Sequence, residues 1–144
     1  MSDSVRRWGV AYLLAAATFA ALDVVWISLV AGQQYRSQIP QLMADSPNGA
    51  AAGLFYALFV CGIVAFGVRP NDPDASLASR AASGALFGLL AYATWGLTGV
   101  AVLKGFPWGL ALLDMAWGAV ASGVVTAVTA TILGRLKALA SGAN

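Results

Sequence analysis

At 144 residues the chain has room for one domain, and it is 60% hydrophobic but only 10% charged, against about 25% charged residues in a typical soluble domain. So little charge cannot cover a water-facing surface. The acids are Asp3, Asp23, Asp45, Asp72, Asp74 and Asp114, with no Glu and no His, which excludes Ser-His-Asp and Cys-His catalysis, His-ligated haem and HExxH zinc sites. A lone cysteine, Cys61, excludes an internal disulfide or a thiolate cluster. The basic residues are scattered rather than gathered into a nucleic-acid-binding face. The residues therefore offer no catalytic set, no metal site and no cofactor motif.

Four apolar runs follow one another along the chain, at about 9–31, 50–68, 81–103 and 108–133. Each has roughly the 20 residues that a helix needs to cross a bilayer core. A transmembrane barrel would alternate apolar and polar residues, and these runs do not. The first run follows Arg6 and Arg7 as in a signal peptide, but it is longer than the roughly 7–15 residues of such a segment's apolar core, and it contains Asp23. It is expected to remain as a spanning helix. Residues 33–49 are polar and contain Pro40 and Pro47-Asn48, which reads as a loop. Pro70-Asn71-Asp72-Pro73-Asp74 is a turn and helix-start signal. Lys104-Gly105-Phe106-Pro107 reads as a tight hairpin, with Gly105 suited to a helix C-cap and Pro107 to the first turn of the next helix. The third and fourth helices should then be antiparallel neighbours.

Lysine and arginine set the expected orientation. Arg6, Arg7, Arg69, Arg80, Arg135 and Lys137 fall on one side and only Arg36 and Lys104 on the other, which places both termini in the cytoplasm. Trp8, Tyr35 and Trp108 fall at helix ends, where aromatic belts sit. The expected architecture is all-α: a four-transmembrane-helix bundle with cytoplasmic N- and C-termini, residues 1–144 forming a single integral membrane domain. Cys61 reads as a small buried apolar residue.

Among the charged residues only Asp23 and Asp114 lie within apolar runs. An Asp at the centre of a spanning helix costs about 2.5–3.5 kcal/mol on insertion scales, so both call for a function or a partner. At 1.5 Å per residue they fall roughly 12 Å and 9 Å inside the outer ends of oppositely directed helices. They are thus expected at similar depth, facing one cavity. Each starts a Leu-Asp-x-x-Trp pattern, Leu22 to Trp26 and Leu113 to Trp117. The i, i+3 spacing puts each Trp beside its own Asp, where the indole N–H can donate to a carboxylate. Tyr56, Tyr92, Thr94, Trp95 and Thr98 fall in the same outer half. The candidate binding residues are Asp23, Trp26, Tyr56, Tyr92, Thr94, Thr98, Asp114 and Trp117. The alternative is purely structural, with carboxyl–indole bonds between helices.

Gly84, Gly88, Tyr92 and Gly96 line one face of the third run, and Gly118, Ser122, Ala119 and Gly123 do so in the fourth. Small residues at this spacing let helix backbones approach closely, within the chain or in a homo- or hetero-oligomer.

Several stretches together carry a resemblance: Leu22-Asp23-x-x-Trp26, Tyr35-Arg36-Ser37-Gln38-Ile39, Leu54-Phe55-Tyr56, Gly84-Ala85-Leu86-Phe87-Gly88, Ala91-Tyr92-Ala93-Thr94, Leu103-Lys104-Gly105-Phe106-Pro107 and Asp114-x-x-Trp117-Gly118. In this order they resemble the bacterial membrane-protein family catalogued as domain of unknown function 2177, over residues from about 13 to 123. The resemblance implies a four-helix protein of the bacterial inner (cytoplasmic) membrane without an established activity. It also implies a link to lipid modification, through enzymes encoded beside members of the family. One departure stands out. Where the family's third helix typically reads Tyr-Asp-Leu-Thr-Asn, this chain has Trp95-Gly96-Leu97-Thr98-Gly99, so any chemistry carried by that Asp and Asn is lost or altered here.

Three functions fit these observations. The first is binding or passage of a small molecule, lipid group or proton at the outer-half Asp pair. The second is a lipid-modifying enzyme or its accessory subunit, with the lack of His, Glu and cofactor motifs arguing against independent catalysis. The third is a scaffold that packs its Gly-lined faces against another membrane protein. The expected surroundings are the lipid bilayer, with no nucleic acid and no cofactor.

Overall fold

The computed structural model describes residues 2–142. It contains four helices: α1 (Asp3–Gln38), α2 (Gly49–Val68), α3 (Leu77–Val102) and α4 (Trp108–Gly142), each long and apolar enough to cross a membrane. There is no strand among the described residues. Three of the helices begin on a polar cap. Ser2 accepts from the Val5 N–H, Asn48 from Ala51 and Ser76 from Ser79, each satisfying an N–H that the first turn leaves free. Between α3 and α4, Gly105 takes φ +78° and Pro107 lies just before the helix, its carbonyl accepting from Ala111. The tight hairpin makes α3 and α4 antiparallel neighbours.

Three helices run past their apolar limits: α1 already begins at Asp3 and α3 at Leu77, and α1 and α4 also continue at their C-terminal ends. Residues 33–38 are helix rather than loop, because nothing breaks α1 before Pro40. Ile39, held by the following proline, leaves the helix at φ −135°, ψ 49°. At the other end of the chain, α4 continues beyond 133 to Gly142. Its Arg135, Leu136, Lys137, Ala138 and Leu139 are good helix formers, and polarity alone does not end a helix.

The bundle is built around the α3–α4 seam. Gly84, Gly88, Gly96 and Gly99 are buried on α3. A Cβ built on Gly88 would stand 2.0 Å from the Gly118 carbonyl oxygen, and one on Gly118 would stand 2.5 Å from the Tyr92 ring. The glycine-lined faces are therefore consumed inside the chain, and they are not the free oligomer surface that the sequence left open. The fully buried hydroxyls of Ser122, Thr126 and Thr129 sit on the same side of α4 without hydrogen-bond partners among the described residues. Helix α1 contributes Ala11, Ala15 and Phe19 to the core, against Phe59, Val60, Ile63, Val64 and Val68 of α2 and Ala121 and Val125 of α4. Cys61, expected inside, is exposed on α2. A bilayer is as apolar as a core, so an apolar residue has no need to turn inward.

Helix α2 packs on the bundle from Tyr56 onward and most closely at its end. Its last residues, the π-helical segment Ile63–Val68, pack on α1, α3 and α4. A Cβ on Gly67 would meet Thr126 Oγ1 at 2.5 Å and the Gly84 Cα at 3.1 Å. Its first residues, 49–55, are exposed, and a Cβ on Gly53 would meet nothing within 4 Å. The bundle is closed at the end that carries both termini and forked at the other.

Arg80 locks the closed end. Its Nε donates to the Ala75 carbonyl at 3.0 Å and its Nη1 to that of Arg69 at 2.7 Å, and it also donates to the carbonyls of Val68 and Asp72. Arg69 there adopts φ +46°, a left-handed conformation that costs a non-glycine residue roughly 1 kcal/mol or more. One guanidinium thus satisfies the carbonyls left free where α2 ends. Arg80→Ala should lower stability by about 2 kcal/mol or more, since several partly buried carbonyls lose their donor. Arg80→Lys should restore little, because an ammonium lacks the planar fork. Thermal unfolding in detergent, followed by circular dichroism, checks this; a lysine variant as stable as the parent would sink it.

Candidate functional site

The fork between the helices holds a cleft of about 470 Å³. Asp23, Trp26 and Tyr35 of α1, Tyr56 of α2, Tyr92 and Trp95 of α3 and Asp114 of α4 line it. Both carboxylates are 5% exposed. They arrive from oppositely directed helices and open on the same cleft.

Each carboxylate is held by donors from other helices. Asp23 Oδ2 accepts the Tyr56 hydroxyl of α2, and its Oδ1 accepts the Trp117 indole N–H of α4 at 3.1 Å. Asp114 Oδ2 accepts the Tyr35 hydroxyl of α1. That hydroxyl in turn accepts the Trp95 indole N–H of α3 at 2.8 Å. Two short networks therefore tie all four helices together at the level of the cleft. An ionised carboxylate offers about four lone-pair directions, so Asp23 keeps acceptor capacity and Asp114 keeps more.

The two Leu-Asp-x-x-Trp patterns do not work as isolated pairs. Trp117 serves the Asp of α1, not Asp114 on its own helix. Trp26 lies flat against Trp117, centroids 4.4 Å apart and planes within 2°. The expectation that each indole serves its own Asp is corrected: Trp117 donates across the α1–α4 contact to Asp23, and Trp26 contributes the stack rather than a hydrogen bond to either carboxylate. Helical spacing fixes which residues share a face, but a stacked indole pair between two helices turns the N–H toward the partner.

From the sequence Tyr35 reads as a belt residue and as part of the resemblance motif, not as a binding residue. Two features bring it into the site. The first is the continuation of α1 to Gln38. The second is the π-helical turn Ile27–Ala31. In an unbroken α-helix Tyr35 would stand roughly 120° around the axis from Asp23, and a wide turn that absorbs about one residue removes roughly 100° of that. Gly32 closes this turn, where a Cβ would stand 2.8 Å from the Ile27 carbonyl oxygen. The stretch 32–38 has no breaker before Pro40, which was the available signal. Trp95 shared the expected depth but was not among the candidate residues. It is half exposed on the cleft rim.

The other candidates divide. Tyr92 lines the cleft and packs on Gly118. Thr94 and Thr98 do not join. Both are exposed, and their hydroxyls bond back to α3's own carbonyls, Thr94 to Leu90 at 2.9 Å and Thr98 to Thr94 and Trp95. Gly96 and Gly99 lie outside the cleft, in the seam. Their Cβ positions would stand 3.1 Å from Ala111 and 3.3 Å from the Phe106 ring. Larger polar side chains there would press on Ala111 of α4 and on the Phe106 ring of the hairpin.

Four apolar spans and buried carboxylates bonded between them define a polytopic integral membrane protein. Residues 8–131 match the family described as "Predicted membrane protein (DUF2177)", and the chain belongs to that family. No curated protein and no solved structure matches it.

Proposed function

We propose that the cleft is a binding site for a small amphiphile that carries a hydrogen-bond donor or a positive charge. Asp23 and Asp114 are its polar anchors, and Trp26, Tyr92 and Trp95 its walls. One observation carries this reading: two carboxylates with unspent acceptor capacity open on one aromatic-lined cleft whose lining contains no Lys or Arg. A carboxylate favours a donor or cation, and an aromatic face adds cation–π attraction. The volume falls within the range of small-ligand sites, about 300–1,000 Å³. Because the first turns of α2 stand off the bundle, the ligand enters from the bilayer between α2 and its neighbours. With cytoplasmic termini, as the Lys/Arg bias indicates, the cleft opens toward the outer face of a bacterial inner membrane. The same pair would serve a lipid headgroup amine or a proton.

Titration of protein in nanodiscs with dodecylamine, followed by tryptophan fluorescence, tests the proposal. Saturable quenching is expected with the amine and not with dodecanoate. Asp23→Asn/Asp114→Asn should weaken it at least about tenfold, the loss expected when a charge-assisted contact worth about 1.5–3 kcal/mol is removed. An unchanged titration in a correctly inserted double variant would overturn the reading.

A further inference from the structure

A second cavity, of about 550 Å³, lies at the closed end, remote from the carboxylates. It sits between the first turns of α1, the α2–α3 loop and the last turns of α4. Arg6, Arg7, Arg80 and Lys137 line it, with Asp72 as its one carboxylate among the described residues. Asp72 is spent on Arg69, 3.3 Å away, and Arg69 is not in the lining. Arg6 faces Asp3 at 3.5 Å, with both side chains well exposed, so that pair is screened and weak. Arg80 is held by neutral carbonyls, which leave its charge uncompensated. Arg7 and Lys137 have no carboxylate partner among the described residues.

The rest of the wall is apolar and includes Val10, Leu133 and Leu136. Val10 is 36% exposed and Leu136 48% exposed. The last apolar run ends near residue 133, so the groove straddles the boundary where hydrocarbon gives way to headgroups. Cations beside aliphatic side chains match an anionic headgroup with its acyl chain against the apolar wall. A soluble anion would use the cations and leave the apolar wall uncovered.

We propose that this groove is a specific site for one anionic phospholipid of the bilayer, its phosphate held by Arg7, Lys137 and Arg80 and its chain laid along Val10, Leu133 and Leu136. It does not depend on the reading of the carboxylate cleft.

Native mass spectrometry of the full-length protein, released from micelles containing equal phosphatidylglycerol and phosphatidylcholine, tests it. The parent should retain one phosphatidylglycerol in preference to phosphatidylcholine. Retention should fall as ionic strength rises, through screening of the headgroup charge. Arg7→Gln/Lys137→Gln should reduce retention roughly thirty-fold, at about fivefold per cation lost. Arg7→Lys/Lys137→Arg should preserve it. Arg36→Gln/Lys104→Gln, which removes the cations of the opposite end, should leave it unchanged. Equal retention of the two lipids by the parent, or full retention by the glutamine variant, would overturn the proposal. So would displacement of the lipid by glycerol 3-phosphate as readily as by phosphatidylglycerol, since the site would then take the free anion.

Discussion

Gly88→Ala will cost the bundle about 3 kcal/mol, the upper part of the range for overpacked sites. The added methyl would stand 2.0 Å from the Gly118 carbonyl oxygen, 2.3 Å from the Ser122 hydroxyl oxygen and 2.7 Å from the Gly118 carbonyl carbon. Two of these atoms are backbone, so no rotamer change relieves the clash. Helices α3 and α4 must move apart, and their separation strips van der Waals contact along the whole seam. In a bilayer that contact is a main source of helix association, because lipid supplies no hydrophobic drive between helices. Denaturation in mixed micelles with increasing dodecyl sulfate reads the loss. Gly53→Ala is the control, since its Cβ would meet nothing within 4 Å. Matching unfolding midpoints for the two variants would show that the seam is not close-packed.

The second large effect is expected at Asp23. Its carboxylate accepts from Tyr56 on α2 and from Trp117 on α4, so Asp23→Ala strands two donors on two helices. Interhelical hydrogen bonds in membranes average about 0.6 kcal/mol and reach about 1.7. Two such bonds to one buried acceptor, with both donors stranded by its loss, give an expected loss of about 2 kcal/mol. Asp114→Ala should cost about half as much, since only Tyr35 donates to it among the described residues. Pairing Asp23→Ala with Tyr56→Phe should show a coupling of about 1 kcal/mol in a double-mutant cycle. Strict additivity would show that the hydroxyl–carboxylate contact carries no energy. The Trp26–Trp117 stack adds an independent reading, because Asp23→Ala should change tryptophan emission as the Trp117 indole loses its anchor.

Much of the site was legible because burying a carboxylate in hydrocarbon is costly. That cost marked Asp23 and Asp114 among the acids, and helical rise placed them at one level. Tyr56 and Tyr92 followed from depth alone. Thr94 and Thr98 also followed from depth, and wrongly, because depth says nothing about which way a residue faces. Tyr35 is not legible as a site residue, because a polar stretch reads as the end of a helix. The glycine stripes were recognisable as packing surfaces, but their partner was not, since small residues at four-residue spacing suit any close helix.

By itself the sequence determined four spanning helices, the antiparallel hairpin of the last two, and the two intramembrane acids. These depend on local properties: apolar length, turn-forming residues, and the cost of charge in lipid. Tertiary structure alone decided that each carboxylate is bonded from other helices, that α2 stands off to open the cleft, and that a wide turn brings Tyr35 round to Asp114. Such features depend on the angular phase and tilt of one helix against another. Side-chain packing between helices sets those quantities, and residues far apart in the chain supply it.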